Sequence, residues 1–302
     1  MKTKNNSYEK DHKGPYENLY IYYFQGQVDD KHERHFGEHF LGNWVEENNS
    51  FLFFSRPSHE IISGIIQRQP GLELIDDYFF TYDQWQGNGL TSIRIENVII
   101  VTPWEDKEID KGEKKIIIDP GMVFGSGLHP TTRDCLKALI YLQRHDPVER
   151  VLDLGTGTGI LALTVASLGA KNVLAVDLNP LSVKTTQKNI QLNHAEKVIT
   201  VIKGKAEDFV HETADLVVAN IHFEVIARLI EKKCFKDKRW LIISGLMRSQ
   251  ARDVKAKLEA YDLQVKHEWD HEMTWYTLLV KNERRTFFFD LKDPGKDPSP
   301  MF

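Results

Sequence analysis

The segment from Val151 to Asp177, VLDLGTGTGILALTVASLGAKNVLAVD, constrains the fold of this chain more than any other. An apolar strand runs into a loop with glycine at alternate positions, Gly155, Gly157 and Gly159, and an apolar helix and a second strand ending in Asp177 follow. A β-turn-α-β unit with an acid at the tip of its second strand is the layout of a nucleoside site. Glycine has no Cβ, so the loop backbone can approach a ligand closely. We expect the Asp177 carboxylate to accept both hydroxyls of a ribose.

The glycine spacing separates two kinds of nucleoside cofactor. A dinucleotide site needs G-x-G-x-x-G, and the position of its third glycine is occupied here by Ile160. The observed G-x-G-x-G resembles the signature of S-adenosylmethionine (SAM) methyltransferases. An ordinary tight turn is the alternative for a glycine loop alone, but Asp153 on the preceding strand and the terminal Asp177 favour a cofactor site. SAM is therefore the expected cofactor.

Composition excludes several classes of protein. A length of 302 residues predicts two domains, and 44 acidic against 39 basic residues argue against a broadly basic surface that reads nucleic acid. Cys135 and Cys234 have no C-x-x-C partner, so we expect a reduced cytoplasmic protein without structural zinc. The polar first 14 residues lack a signal peptide, and no run approaches the roughly 18 apolar residues of a membrane span. The expected state is a monomer, although nothing in the sequence defines it.

The changes in pattern along the chain predict five regions. They are a mobile terminus (1–16), a small α+β domain (17–83), a linker with connecting strands (84–114), a cofactor-binding domain (115–282) and a tail (283–302). In the small domain, aromatic and apolar runs predict strands at 19–24, 51–54 and 72–82, with helices at 32–47 and from Pro57 to Ile66. The resulting β-α-β-α-β order favours a ferredoxin-like domain in which one strand is not placed.

A histidine pair in the small domain suggests a metal site. His35 and His39 are four residues apart with Glu38 between them. A catalytic zinc site needs a third ligand in a defined place, and no such residue stands out. We therefore expect an exposed helix face and no metal.

From Val151 onward the chain alternates strand and helix. The predicted strands cover 173–176, 198–203, 215–220, 240–244, 263–269 and 274–280, and the predicted helices cover 180–192, 223–233 and 248–260. This alternation predicts a doubly wound α/β sheet, in which ligands gather at the carboxyl ends of the strands. Gly155, Asp177 and Asn220 all fall at such ends.

A second informative segment, 118–132, reads IDPGMVFGSGLHPTT. It predicts a strand ending at Ile118, an irregular glycine-rich loop, and a helix that begins near Pro130. The free N–H groups and the positive dipole end of a helix N-terminus suit a carboxylate such as the one SAM carries. Thr131 and Thr132 add hydroxyls in the first turn. The alternative is a structured loop with a threonine N-cap.

The same segment resembles a known family. DPGMVFGSGLHPTTRDCLKAL is similar to the DPG-x-x-FG-[TS]-G-x-HPTT stretch of the bacterial ribosomal protein methyltransferases of the PrmA type. VTPWE at 101–105, VVANIHFEVIARL at 217–229 and LIISGLMRSQARDV at 241–254 resemble three further stretches of that family, in the same order. The resemblance covers about 80–280. It implies SAM-dependent methylation of amino groups on large-subunit ribosomal protein eleven, with the first domain gripping that protein.

The motifs and the resemblance together indicate the residues of the site, and the resemblance itself carries over four cofactor contacts, Thr132, Gly155, Asp177 and Asn220. The expected cofactor contacts are Phe124, Gly125, Gly127, Thr132, Asp153, Gly155, Gly157, Gly159, Asp177 and Asn220, and the expected catalytic residues are Asn220 and Phe223. Thr132 would contact the methionine part of SAM. His222 and Phe223 depart from the small or apolar residues usual after Asn-Ile, and residues 1–80 diverge as well. Both departures concern the substrate more than the cofactor.

The residues after Asn220 indicate what kind of nitrogen is methylated. Enzymes that methylate planar amide or adenine nitrogens have a motif that resembles Asn-Pro-Pro-Tyr at this position. This chain has Asn220-Ile221-His222-Phe223 instead. An amine fits better, with the Asn220 oxygen accepting an N–H and Phe223 lining a lysine stem. The alternatives are a strand-end Asn with a core Phe, a methyltransferase for another protein or a small molecule, or a SAM-binding module without turnover. His129 and His222 are candidate bases, although a structural role is favoured for both.

Overall fold

The computed structural model describes residues 14–86 and 92–285, apart from the side chains of Asp30, His32 and Arg285. The predictions for 1–13 and 286–302 lie outside the described residues. The described residues form two compact units, one of residues 14–86 with 102–108 and the other of 92–101 with 109–285.

The first unit contains a four-stranded antiparallel sheet in the order β2-β3-β1-β4. Its elements are β1 (Asn18–Gln25), a 3-10 helix (Asp30–His35), β2 (Phe40–Glu46), β3 (Asn49–Phe54), α1 (His59–Arg68), β4 (Glu73–Thr81) and α2 (Tyr82–Trp85). This strand order is the one that a split β-α-β arrangement produces, with the 3-10 helix in place of its first helix. The core beneath the sheet includes Tyr22, Phe24, Phe54, Ile62 and Ile65.

The predicted helix at 32–47 is wrong. β2 instead pairs with β3 through a tight hairpin in which Glu47 has φ 51°. A bulge between Phe40 and Gly42 shifts the register of β2, and Phe36 packs edge to face on Phe40 at 4.8 Å between ring centroids. The bulge and the turn together space the apolar residues as a helix would, which explains the error. β2 is the strand that the sequence did not place.

The histidine pair therefore does not share a helix face. His35 ends the 3-10 helix, and His39 stands just before β2 with its Nε2 3.4 Å from Glu38 Oε1. Among the described residues no group of three or more His, Cys, Asp or Glu is placed to hold a metal ion. Cys135 and Cys234 are both free thiols.

The second unit contains a three-stranded and a seven-stranded sheet. Its strands are β5 (Ile93–Ile95), β6 (Val98–Val101), β7 (Lys114–Ile117), β8 (Arg150–Leu154), β9 (Asn172–Asp177), β10 (Ile199–Lys203), β11 (Leu216–Asn220), β12 (Trp240–Met247), β13 (Leu263–His271) and β14 (Trp275–Asn282). Its helices are α3 (Pro130–His145), α4 (Ile160–Ser167), α5 (Pro180–Leu192), α6 (Ala206–Phe209), α7 (Phe223–Glu231), α8 (Lys233–Lys236) and α9 (Arg248–Ala260), and a 3-10 turn follows at Glu283–Arg285.

The seven-stranded sheet confirms the predicted doubly wound α/β fold. Its order is β10-β9-β8-β11-β12-β14-β13, and β14 runs antiparallel to the other six strands. The strand order reverses between β8 and β11, which is where open α/β sheets bind ligands. The four-residue helices α2, α6 and α8 were not predicted, because four residues carry little periodicity.

Two apolar layers cover the two faces of this sheet. Val151 of β8 packs with Leu139 of α3 and Ile160 of α4, and Leu152 packs in the opposite layer, with Ile226 of α7 and others. The strands are buried on both faces and read as continuous apolar runs for that reason. No helix in the described part of the chain is long and apolar enough to cross a membrane.

Candidate active site

The glycine loop (155–159) requires glycine because of its protein neighbours. Gly157 has φ 59°, and a Cβ there would lie 2.4 Å from the backbone oxygen of Phe124. Gly155 has φ 73°, and its Cβ would lie 2.0 Å from Cγ2 of Ile221. The loop therefore lies between the segment after β7 and the end of β11. Close approach to a ligand, the reason expected from sequence, adds to a requirement that the fold already imposes.

Asp177 lies at the end of β9, directly beside this loop. Its Oδ2 accepts a hydrogen bond from the Gly157 backbone N–H at 2.9 Å, and its Oδ1 accepts one from the Asn179 N–H at 2.9 Å. Burial raises the pKa of Asp177, and these two hydrogen bonds act against that rise. The Ser182 side chain and the Leu178 backbone also hydrogen-bond to this carboxylate. Asp177 is only partly buried, so a ribose hydroxyl can still reach it.

Asp153 lies beneath the loop and is only 1 % exposed. Thr156 Oγ1 donates to its Oδ2 at 2.6 Å. Burial raises the pKa of Asp153 to about 6, the Thr156 hydrogen bond opposes this rise, and the nearby charge of Asp177 adds to it. A carboxyl buried and bonded in this way shapes the loop from below.

The segment between β7 and α3, the 119–129 loop, lies against the glycine loop. Thr158 Oγ1 donates to the Gly125 carbonyl at 2.7 Å, and the Thr158 N–H donates to the Phe124 carbonyl at 3.1 Å. Gly127 approaches side chains of the second unit's core, since a Cβ there would lie 3.2 Å from Ile160 Cδ1. The side chain of Phe124 is 51 % exposed. The predicted loop residues thus form one surface with the glycine loop.

α3 begins with a histidine cap in place of the threonine considered from sequence. The His129 side chain accepts from the Thr131 N–H, and its Nδ1 lies 2.7 Å from Thr131 Oγ1. Its ring also packs edge to face on Phe124 at 5.3 Å and on Trp275 at 5.1 Å between centroids. Burial and, secondarily, His271 lower the pKa of His129. These contacts match the structural role favoured from sequence.

Thr132 is the most telling residue of this helix start. Its side chain is 1 % exposed, and its Oγ1 has no hydrogen-bond partner among the described residues. An unpartnered buried hydroxyl is costly, and each one in a folded protein calls for a specific explanation, such as a role in function. A hydroxyl of this kind in the first turn of a 16-residue helix suits a polar or anionic ligand group.

Asn220 ends β11 and reaches the same edge of the sheet. Its Oδ1 lies over Gly245, where a Cβ would be 3.3 Å away. Phe223 starts α7 and packs partly buried against the core layer on that side, whereas His222 is exposed. The structure thus brings Asn220 beside Ile221 and the glycine loop, while Phe223 also has the packing of a core aromatic.

Two residues that support the loops of the candidate site were not predicted from the sequence, and both lie on α5. Thr186 Oγ1 donates to the Gly157 carbonyl at 2.8 Å. Asn189 Nδ2 donates to the carbonyls of Asp119 at 3.0 Å and Thr158 at 2.8 Å. The signal was present as a stripe of small polar residues at helical spacing, 185, 186, 189 and 193, on a helix otherwise read only for its ends.

The family model described as "Ribosomal protein L11 methyltransferase (PrmA)" matches residues 82–283. The chain belongs to this family. The match contains the glycine loop, Asp177, Thr132 and Asn220, and it begins after β4. It confirms the resemblance seen in the sequence.

Individual relatives agree with the family. The chain is 36 % identical over 193 residues to the ribosomal protein L11 methyltransferase of Halalkalibacterium halodurans, covering 63 % of this chain and 61 % of the relative. It is 40 % identical over 168 residues to that of Geobacillus kaustophilus, covering 55 % and 53 %. A crystal structure of a ribosomal protein L11 methylase from Lactobacillus delbrueckii subsp. bulgaricus superposes with TM-score 0.57 at 30 % identity, covering 63 % of this chain and 98 % of that one. The chain spans 53–61 % of the length of these two curated relatives.

Proposed function

We propose that this protein is a SAM-dependent N-methyltransferase that methylates lysine or other amino groups of a ribosomal protein. Membership of the L11 methyltransferase family supports this function. The observation that carries the cofactor is the unpartnered hydroxyl of Thr132 at a helix start whose preceding loop is hydrogen-bonded to the glycine loop. Both features stand at the switch point of the sheet, where this fold binds ligands.

The residues present fit SAM part by part. Asp177 would accept the ribose hydroxyls, and the glycine loop would let the backbone lie close to the nucleoside. The start of α3, with Thr132, would hold the carboxylate of the methionine part, because the helix N-terminus offers free N–H groups and positive potential. Asn220 would mark the edge at which the methyl group meets its acceptor.

The chemistry asks this chain for positioning more than for acid–base catalysis. When bound, SAM supplies a methyl group already activated on a sulfonium. Holding an amine in line for transfer is worth about 7–11 kcal/mol of the barrier. A free lysine has a pKa of about 10.4, and transfer into an apolar site near a positive charge lowers it. The neutral amine therefore forms without a dedicated base. His129, one candidate base, is hydrogen-bonded to Thr131 through its Nδ1, which agrees with this view.

The acceptor is an amine in this proposal because of the residues after Asn220. The Asn220 oxygen can accept an amine N–H, and the Phe223 ring can pack on an aliphatic stem. Ile221 and His222 occupy the two positions at which enzymes that methylate planar nitrogens have prolines.

A two-step experiment tests the proposal. Calorimetric titration with SAM measures binding, and incubation of purified ribosomal proteins with deuterated SAM, followed by peptide mass spectrometry, locates the label. We expect SAM to bind and label to enter lysine or α-amino groups of one large-subunit protein. If label is found only on other proteins or on small molecules of a cell extract, the protein is a methyltransferase with a different substrate from the one proposed. Binding without S-adenosylhomocysteine production from any extract would leave a SAM-binding module and overturn the enzyme.

A further inference from the structure

Two asparagines on one face of α5 hold the end of β7. Asn193, the C-cap of α5, accepts from the Ile117 N–H at 2.8 Å and donates to the Ile117 carbonyl at 2.6 Å. Asn189 forms the same pair of hydrogen bonds with Asp119: its side chain accepts from the Asp119 N–H at 2.9 Å and donates to the Asp119 carbonyl at 3.0 Å. Each side-chain amide thus pairs with both backbone groups of one residue, as a neighbouring strand would.

The spacing of helix and strand makes this double pairing possible. Four residues of helix rise about 6 Å, and two residues of strand rise about 6.6 Å. The residue between the two rungs, Ile118, turns the other way and donates to the Val101 carbonyl of β6 at 2.8 Å. The asparagines therefore satisfy the side of β7 that has no strand beside it among the described residues, and only the Asn189 pairing lies at the start of the 119–129 loop.

Asn189 does one thing that Asn193 does not. Its second N–H donates to the carbonyl of Thr158 in the glycine loop at 2.8 Å. Asn189 is 0 % exposed, so its side-chain amide makes no contact with solvent. Its amide nitrogen donates to two protein carbonyls. The third bond of Asn193 goes instead to the Asn189 carbonyl of its own helix. Of the two asparagines, only Asn189 joins the strand end to the glycine loop.

We propose that Asn189 is a positioning residue, which presets the 119–129 loop against the glycine loop for SAM. This proposal rests on the proposed function. Thr158 provides the parallel link between the same two loops through its Oγ1 and Gly125. A buried amide with fixed partners holds both loops before the ligand arrives, and preorganisation of that kind lowers the ordering cost of binding.

The two asparagines form a matched pair for a test. Asn189→Ala and Asn193→Ala each remove three hydrogen bonds, two of them to one residue of the β7 edge. Both should lower thermal stability. Only Asn189→Ala should also weaken SAM binding, by about tenfold or more in the Kd from calorimetric titration. In steady-state assays KM for SAM should rise by a similar factor, with kcat at saturating SAM changed much less.

A second variant keeps the test open if Asn189→Ala does not fold. Thr158→Val removes the Oγ1 bond to Gly125 and leaves α5 untouched. It should raise the SAM Kd in the same direction. Hydrogen exchange of peptides covering 119–129 should become faster in Asn189→Ala and Thr158→Val, measured without SAM, and should stay unchanged in Asn193→Ala.

Defined results would overturn the inference. A folded Asn189→Ala protein with a SAM Kd within about twofold of wild type would do so, as would equal losses of affinity in both asparagine variants. Wild-type protein that fails to bind SAM would instead count against the proposed function. The exchange of the 119–129 loop in the free protein would still decide whether Asn189 positions it.

Discussion

The carboxylate of Asp177 accepts a hydrogen bond from the backbone N–H of Gly157 across 2.9 Å. The acid at the tip of β9 therefore orients the glycine loop that follows β8, in addition to its proposed contact with a ribose. Because both strands are parallel neighbours, their carboxyl ends meet at one edge of the sheet. Loop and acid thus form one unit before any ligand is bound.

Asp177→Ala should weaken SAM binding by roughly 10–100-fold, because two charge-assisted hydrogen bonds to the ribose would be lost. Calorimetric titration measures the change. Asp253→Ala, at an exposed acid of α9, is the control and should leave the Kd unchanged. Wild-type affinity in a folded Asp177→Ala protein would remove Asp177 from the cofactor site.

Gly157→Ala should destabilise the fold and abolish SAM binding. The new Cβ would meet the Phe124 carbonyl at 2.4 Å, and the backbone has φ 59°, so the two loops must separate. Gly169→Ala is the matched control, because Gly169 has φ 116° but nothing lies within 4 Å of its Cβ position. Thermal unfolding should show a larger drop in Tm for Gly157→Ala. Equal drops would mean that strain, and not the contact with the 119–129 loop, sets the requirement.

Thr132→Val should move stability and binding in opposite directions. Valine has nearly the same shape and removes a buried hydroxyl without a partner, so the free protein should gain about 1 kcal/mol or more. SAM affinity should fall about tenfold, because the hydrogen bond between the Thr132 hydroxyl and SAM is lost.

Thr277→Val is the control for that variant. The hydroxyl of Thr277 is equally buried but lies 2.6 Å from Ser244 Oγ, so its removal should lower the Tm. A Thr132→Val protein that is also less stable would show that its hydroxyl already has a partner in the free protein.

Asp153 should make the fold less stable as pH rises. Burial raises its pKa from 3.8 to about 6, so the folded state binds a proton more tightly than the unfolded state. The stability that the neutral form allows is present below pH 3.8 and is lost as pH rises through about 6. The loss is on the order of 3 kcal/mol.

Asp153→Asn should remove this part of the pH dependence, because the amide oxygen can still accept from Thr156 and carries no charge. Urea unfolding at a series of pH values measures it. The stability of the variant relative to wild type should increase between pH 4 and pH 6. A constant difference across that range would contradict the raised pKa.

The elements that the sequence predicted best are those whose ends are marked by local residues such as a cap or a proline. α5 runs from Pro180 to Leu192 as expected, because Asn179 caps it and proline occupies its first position. α9 also has its predicted bounds, Arg248–Ala260. The error at 32–47 arose where a bulge and a hairpin imitated helical spacing, since periodicity alone does not record pairing with β3.

The candidate site likewise contains features that the sequence predicts and features that only the tertiary structure reveals. Glycine spacing and the acid at Asp177 predict a nucleoside site from sequence alone, because both requirements are local to one β-turn-α-β unit. His129 as the cap of α3, the unpartnered Thr132 hydroxyl and the Asn189 link depend on which loops meet, and the chain does not state this locally.

By itself the sequence determined the alternation of strand and helix and the family, and it predicted the cofactor class, because these follow from periodicity, backbone-permissive glycines and ordered motifs. Only the tertiary structure decided that Gly155 and Gly157 are required by protein neighbours, that β2 completes the first sheet, and that α5 supplies the missing partner of β7. The physical reason is that burial and hydrogen-bond satisfaction depend on residues distant in the chain, so they exist only once the sheet is assembled.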